Sequence, residues 1–471
     1  MSNDCVRIVR RSTLRCRVAS EPLSNSSALR HEPATSITST SGYKLPCSQT
    51  WSTGHPAFAF VLVQDQQASG QSGLLHSVYC SGMFTLQATD GSARAGVLHL
   101  RHGTTRTPVF MPVGTQATVK GLTPDQLLDL DLDIILGNTF HLGLRPGGEV
   151  LSALGGVHTF AHWPRNVLTD SGGFQMVSLL RLATVSEAGV HFQSPVDGSQ
   201  VLLTPELSIQ LQNQIGADII MALDDVVPTT ASNVERFREA AARTVRWLDR
   251  CIGAHARPSE QLLFAIVQGG LSPELRRYCL RELVARELPG YAIGGLAGGE
   301  EKDKFWQVVQ LCTRELPHDK PRYCMGVGYP EDLLVCVALG VDMFDCVYPA
   351  RTARFGSALV DAEAPGMLKI KSAAMFKDSR PIEPQCPCEC CRHYSRAYLH
   401  VLVNRDPAVV GHLLTVHNIS YLTRFMRGAR EAIFKNTFAD YVHKWFARRY
   451  PSGAYPNWVC DALACCGIRL T

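Results

Sequence analysis

A (β/α)₈ barrel of the α/β class is the architecture this chain predicts, and three observations predict it. Eight short apolar runs recur along the sequence, helix-start signals stand between several of them, and most runs close on Gly or a polar residue. Strands buried on both faces read as continuous apolar runs, and strands alternating with helices argue for βαβ units. Eight such units close a barrel. A doubly wound sheet is the competing arrangement, but no Gly-rich nucleotide fingerprint follows the first run.

In order, the runs are Val109–Gly114, Ile134–Asn138, Val167–Gly173, Ile219–Asp225, Leu262–Gly270, Tyr291–Gly295, Tyr323–Gly328 and Val341–Val347. Thr123-Pro124-Asp125-Gln126 and Ser232-Asn233-Val234-Glu235 read as capping boxes, and Thr204-Pro205-Glu206 as a capped start with Pro in the first turn. Gly216 and Gly290 follow helical stretches, where a left-handed residue is expected. Val196-Asp197-Gly198-Ser199, inside Val190–Thr204, marks a hairpin inserted after the third strand.

The composition excludes other classes. Of 471 residues, 45% are hydrophobic and 19% charged, so wholesale disorder is out. The longest apolar stretch considered, Ala57 to Val63, falls far short of the roughly 18 residues a membrane helix needs, and no membrane insertion is expected. A net charge of +4 does not by itself announce a nucleic-acid binder, and 17 scattered Cys suit reduced thiols better than a disulfide framework. Residues 1–82 are set apart as an N-terminal extension. Its first part is rich in Ser, Thr and Arg, reading as a flexible tail or a mitochondrial targeting segment on an otherwise cytoplasmic protein.

Functional groups of a barrel gather where its strands end. The third run ends in Asp170-Ser171-Gly172-Gly173-Phe174-Gln175, the fourth in Asp224-Asp225, the fifth in Gln268-Gly269-Gly270 and the sixth in Gly294–Glu300. The seventh ends in Met325-Gly326-Val327-Gly328, and the eighth carries Asp345 and Cys346. A single Asp at a strand end can simply cap the next helix. Three carboxylates and an amide among Gly-rich turns exceed what capping requires. Glycines let a flat ligand approach the backbone, and Asp and Gln supply directed acceptors and donors. Such a set permits a division of labour: one carboxylate as nucleophile, one as acid then base, one as acceptor for the N–H groups of a base. That is the logic of retaining glycosyl transfer through a covalent intermediate. Spacing alone does not assign the roles.

Cys386-Pro387-Cys388-Glu389-Cys390-Cys391 is the sharpest local signal. Cys386, Cys388 and Cys391 form a C-x-C-x₂-C set, and His393, His400, His412 and His417 are candidate fourth ligands for tetrahedral Zn²⁺. A closed set of four ligands makes the ion structural, stapling an insertion after the eighth strand. The boundaries drawn are 83–356 with 426–471 for the barrel and 357–425 for the zinc-binding part. Arg351 and Arg354 follow Asp345, and Arg424, Arg427, Arg430, Lys435, Lys444, Arg448 and Arg449 recur later, either as a solvated helix face or as a phosphate-tracking surface.

At these residues the sequence resembles the tRNA-guanine transglycosylases, and within them the catalytic subunits of the eukaryotic branch. The match runs from about Phe84 to the C-terminus and rests on Asp170–Gln175, Gln268-Gly269-Gly270, Gly294–Glu300, Asp342-Met343-Phe344-Asp345-Cys346-Val347 and the Cys cluster with its distant His. The resemblance implies replacement of guanine by queuine at wobble position 34 of tRNAs with a GUN anticodon. It implies Asp345 as the nucleophile on the ribose anomeric carbon and Asp170 as general acid/base. Base contacts would come from Asp170, Ser171, Asp224, Gln268, Gly295 and Leu296, with Phe174 and Met325 as apolar walls. It also implies RNA contacts at Arg351 and Arg354, one structural Zn²⁺ on Cys386, Cys388, Cys391 and His417 with Cys390 left out, and a non-catalytic paralogous partner subunit.

That accessory subunit is itself an alternative reading, disfavoured by the presence of Asp345, Asp170 and Gln268. An archaeal-type enzyme acting elsewhere in tRNA is disfavoured because nothing after Tyr441 leaves length for its extra C-terminal domains. A zinc-stapled barrel glycosidase is the reading from outside the family. Bacterial members are similar but carry Val at the position of Gly298 and Cys at that of Val226, so Gly298 reads as room for queuine's cyclopentenediol group. Gly298→Val is therefore expected to depress queuine incorporation while guanine exchange survives. Equal loss of both in an exchange assay with the two bases would discredit the assignment.

Overall fold

The computed structural model describes residues 83–173, 183–194, 198–362 and 365–470. The N-terminal extension, Phe174, Gln175 and, in the turn of the inserted hairpin, Val196 and Asp197 lie outside these residues.

The described chain opens with an antiparallel meander, β1 (Phe84–Asp90), β2 (Ala93–Leu100) and β3 (Gly103–Thr107). The barrel begins with β4 (Val109–Gly114), β5 (Ile134–Gly137) and β6 (Asn166–Thr169). A detour follows: β7 (Thr184–Val185), β8 (Val190–Gln193) and β9 (Gln200–Leu203) form a small antiparallel sheet. The expected hairpin is the β8–β9 pair, with Val190 opposite Leu203 and Gln193 opposite Gln200. The chain returns as β10 (Ile219–Met221), β11 (Leu262–Val267), β12 (Gly290–Ile293), β13 (Arg322–Cys324) and β14 (Met343–Cys346). All neighbours in the barrel are parallel, and it closes where β14 pairs with β4, Asp345 lying opposite Met111. Each of the eight apolar runs contributes one barrel strand, as predicted. A last hairpin, β15 (Ser357–Leu359) with β16 (Met367–Lys369), leads to the cysteine-bearing segment.

Because side chains alternate along a strand, one residue set fills the barrel and the other packs outward on the helices. Met111, Ile134, Leu136, Leu168, Ile219, Met221, Leu262, Phe264, Ile266, Ala292, Tyr323 and Met343 form the inner core, and Leu98 joins it from β2. The meander thus covers the end where the strands start. The same two-residue step carries the inner row to polar groups at the other end: Leu168 leads to Asp170, Ile266 to Gln268 and Met343 to Asp345, while Tyr323 leads to the apolar Met325.

Two local expectations shift. Thr123 forms the capping box with Gln126, and Thr204 caps its helix, but the helix Val234–Ala254 is capped by Asn233, one residue later than the Ser232 box implied. The Asn233 side chain accepts from Arg236 N–H, satisfying the same orphan donor as well as Ser would. Gly216 is left-handed at φ 78° as expected, whereas Gly290 is the first residue of β12 and not a helix cap. Its requirement is space: a Cβ there would lie 2.3 Å from the Phe264 ring in the barrel interior.

The helix Pro407–Phe434 is the longest in the described chain and runs through residue 425, joining the cysteine-bearing segment to the barrel wall. Among the described residues no helix is long and apolar enough to cross a membrane.

Candidate active site and metal cluster

The polar ends of the inner rows converge on a cavity of about 390 Å³. Asp170, Ser171, Asp224, Val226, Gly295, Leu296, Met325, Asp345 and Arg351 line it, joined by Asn138, Tyr323 and others that sequence reasoning did not single out. Gln268 stands directly behind, 2% exposed, donating from Nε2 to Asp224 Oδ2 at 2.7 Å. Gly298 lies outside the lining. It is exposed, its N–H donates to Glu300 Oε2 at 2.9 Å, and a Cβ there would meet Thr229 Oγ1 at 2.9 Å. Phe174 is outside the described residues. Arg351 and Arg354 sit on the helix Tyr348–Arg354, both exposed and, among the described residues, without an ion pair.

Asp345 is held by one oxygen. Its Oδ1 accepts the Tyr323 hydroxyl at 2.6 Å and the Gly326 N–H at 2.8 Å, while Oδ2 has no partner among the described residues. Burial raises its pKa above the usual carboxylate range, against the pull of those two donors. A carboxylate fixed at one oxygen with the other free in a cavity is suited to nucleophilic attack. The adjacent Cys346 does not compete: burial, with the neighbouring Asp345 charge, pushes its thiol up to about 11.

Asp170 is braced differently. Its Oδ2 accepts Asn138 Nδ2 at 2.6 Å, and its Oδ1 accepts the Thr139 and Gly172 N–H groups at 3.0 and 3.1 Å. Asn138 also caps the helix Thr139–Leu144 through its Oδ1, so one residue anchors a helix and orients a carboxylate.

The Asp224-Asp225 pair splits. Asp225 turns outward to Arg236 and to Arg243, 2.6 Å away, leaving Asp224 at the cavity, 5% exposed. Burial raises Asp224 to about 6, with Asp225 adding to the rise and the Gln268 hydrogen bond opposing it. Behind these residues the fully buried Arg276 donates to the carbonyls of Val267, Gly270 and Gly294 at 2.7–2.8 Å, tying the β11 and β12 ends together. Glu300 accepts the Ala297 and Gly298 N–H groups and the Thr229 hydroxyl, shaping the turn after Gly295. Arg276 carried no sequence signal, since its partners are backbone carbonyls brought near only by folding.

The second constellation is metal-competent. Cys386, Cys388, Cys391 and His417 are all buried, with ligand atoms within 4.8 Å of one another. The three sulfurs lie 3.6, 3.8 and 3.2 Å from His417 Nδ1. Zinc bond lengths in a tetrahedron give S···N edges of about 3.5 Å, which these distances bracket. His417 Nε2 donates to the Leu359 carbonyl at 2.7 Å, leaving Nδ1 as the lone-pair atom aimed at the sulfurs. Of the rival histidines, His400 bonds the Ile370 carbonyl, and His412 bonds Gly121 O and meets Gln126. Cys390 is buried but outside the cluster.

Most of the late arginines have partners within the protein. Arg424 pairs with Glu383, Arg427 with Asp131, Arg448 with Asp361 and Arg449 with Glu331, and Arg430 donates to the Gly96 and Thr107 carbonyls. Arg351 and Arg354, beside the cavity, have no ion pair among the described residues.

Comparison with known proteins decides the lineage. A family model described as queuine tRNA-ribosyltransferase matches residues 89–451. The chain belongs to this family. It is 52% identical over 389 residues to the queuine tRNA-ribosyltransferase catalytic subunit of Schizosaccharomyces pombe, covering 80% of this chain and 95% of that protein. The corresponding subunit of Caenorhabditis elegans is 47% identical, covering 82% and 99%. The queuine tRNA-ribosyltransferase of Thermus thermophilus is 48% identical, covering 82% and 98%.

This geometry predicts two outcomes. Raised from 3.8 to about 6, Asp224 favours the folded state in its protonated form. That contribution is complete below pH 3.8 and is lost as the pH rises through about 6. Asp224→Asn should therefore gain stability over wild type between pH 4 and pH 8, by on the order of 2 kcal/mol. Thermal unfolding across that range measures it, and a pH-independent difference would contradict the burial argument. If the cluster holds a metal ion, Cys388→Ser should lower both the metal content of the purified protein and its Tm, read by metal analysis beside melting curves; metal content equal to that of wild type would remove the cluster's assignment.

Proposed function

We propose that the chain is a queuine tRNA-ribosyltransferase catalytic subunit, exchanging guanine for queuine at wobble position 34 of tRNAs with a GUN anticodon through a covalent ribosyl–Asp345 intermediate. The observation that carries this reading is the one-sided anchoring of Asp345 in a cavity it shares with Asp170 and Asp224. The cavity volume falls within the roughly 300–1,000 Å³ typical of small-ligand sites.

The target nucleotide must first leave its stack to reach the cavity. Asp345 Oδ2 attacks C1′ of the ribose, the C1′–N9 bond breaks, and the departing guanine takes a proton. Asp170, on the same cavity, is the donor in this reading and later the base that removes a proton from the incoming queuine. The deprotonated queuine nitrogen then attacks C1′, and the ester bond to Asp345 breaks. One glycosidic bond replaces another, so the exchange balances without an energy source. Asp224, ionised above about pH 6, accepts N–H donors of the purine edge. Gln268 orients it, and Gly295, Leu296 and Ser171 complete the contacts. Met325 forms an apolar wall, and Phe174 is assigned the opposite wall by family resemblance alone.

Arg351 and Arg354 are placed to meet phosphates of the RNA. The Cys₃His cluster fits a single structural Zn²⁺ with no open coordination position. A non-catalytic paralogous subunit is the proposed partner, in the cytoplasm.

Mass spectrometry of wobble nucleosides from tRNA incubated with protein and queuine, with and without that partner, tests the reaction. Asp345→Asn is expected to abolish the covalent RNA adduct and to lower exchange by about 10³-fold or more. An adduct trapped at wild-type yield would refute the nucleophile.

A further inference from the structure

Beside the cavity mouth the chain exposes an aromatic ring that the chemistry above does not use. Tyr329 is 54% exposed, and its ring lies 4.4 Å from that of Tyr348 at an interplanar angle of 46°. Both rings are tethered to the Asp345 neighbourhood. Tyr329 lies three residues after Gly326, whose N–H holds Asp345 Oδ1, and Tyr348 lies three residues after Asp345 itself. Gly328 brings the two segments together, since a Cβ there would sit 2.4 Å from Cys346 Cβ and 3.2 Å from Tyr348 Cβ. Only Gly permits that approach.

Local structure does not account for the ring. Tyr329 is the N-cap residue of the helix Pro330–Ala338, and its side chain makes no capping hydrogen bond. Ser, Thr, Asn or Asp would stabilise the helix at this position, and burial cannot compensate for a side chain more than half in solvent. Tyr348 supports the ring from within: it is half-buried, and its hydroxyl meets Met367 Sδ at 3.4 Å. Lys302 Nζ lies 5.9 Å from the Tyr329 centroid but is neutralised by Asp332 at 2.5 Å. On the Tyr348 side stands the helix whose exposed Arg351 lines the cavity and whose Arg354 is equally free of ion pairs among the described residues.

A rigidly backed, solvent-facing aromatic next to unpaired guanidinium groups has the chemistry of a single-strand RNA track. Phosphates meet the cations, and an unstacked base lies on the ring. Extracting one nucleotide into the cavity costs its neighbours a stacking surface, which a ring at the rim can replace. We infer that Tyr329, seated on Tyr348, is a stacking platform for the nucleobase adjacent to the nucleotide held in the cavity. This rests on the base-exchange reading above.

The test compares Tyr329→Ala, Tyr329→Leu and Tyr329→Phe in steady-state guanine exchange on an anticodon stem-loop RNA. Ala and Leu are expected to raise KM for RNA about tenfold, with kcat and KM for guanine within about twofold of wild type, while Phe retains the wild-type value. Leu keeps apolar bulk, so loss with Leu and rescue by Phe separates stacking from a packing defect. With 2-aminopurine placed in turn on the 5′ and 3′ sides of the target, fluorescence at one of the two positions should be quenched on binding wild type and Tyr329→Phe and recover with Tyr329→Leu. A Leu variant with wild-type KM, or equal 2-aminopurine signals in all variants, overturns the platform while leaving base exchange intact. A wild-type protein that exchanges no base even with the partner subunit present overturns the functional reading and this inference with it.

Discussion

The site depends on how one carboxylate is held. Taking Asp345 out of water is unfavourable, and the Tyr323 hydroxyl and Gly326 N–H offset part of that cost at a single oxygen. Tyr323 is itself an inner-core residue, 0% exposed, so the hydrogen bond that aims the reactive group is anchored in barrel packing. A closed barrel gives such an anchor little freedom, because each strand is hydrogen-bonded on both sides. The free oxygen is thereby directed by a barrel-core hydroxyl from one side and by the turn after β13 from the other.

The Cys₃His cluster extends this rigidity to the surface beside the cavity. His417 faces the three cysteines, and the next residue along the same helix, Asn418, binds the segment that follows Asp345. Its Oδ1 accepts the Leu359 N–H at 2.8 Å, and its Nδ2 donates to the Pro349 and Ser357 carbonyls at 3.0 and 3.1 Å. Two adjacent residues therefore join the cluster to the helix bearing Arg351 and Arg354. The late arginines act in the same sense, pairing with Glu383, Asp131, Asp361 and Glu331 to fasten the C-terminal helices to the rest of the molecule. Charge that reads as a surface in one dimension serves as fastening in three.

The fold was largely legible because parallel strands buried on both faces need continuous apolar runs, and a turn residue must end each one. The cysteine cluster was legible because three of its four ligands lie within six residues of one another. Gly290 misled because a glycine after a helix has two possible causes, left-handed backbone or lack of space. Only the position of the Phe264 ring separates them. Ser232 misled by one residue because Asn233 beside it is an equally good cap.

What the sequence determined by itself was the inventory: eight strands, a carboxylate-rich set of strand ends, and a metal-competent cysteine group whose fourth ligand it left open among four histidines. What only the tertiary structure decided was the pairing. Asp170 with Asn138, Asp224 with Gln268, and Asp345 with Tyr323 are separated by 32, 44 and 22 residues. The choice between Asp224 and Asp225 likewise rests on which one meets Arg236 and Arg243. The physical reason is that periodicity reports which face a side chain takes relative to its own strand, whereas its pKa and its free oxygen depend on neighbours supplied by other strands after closure.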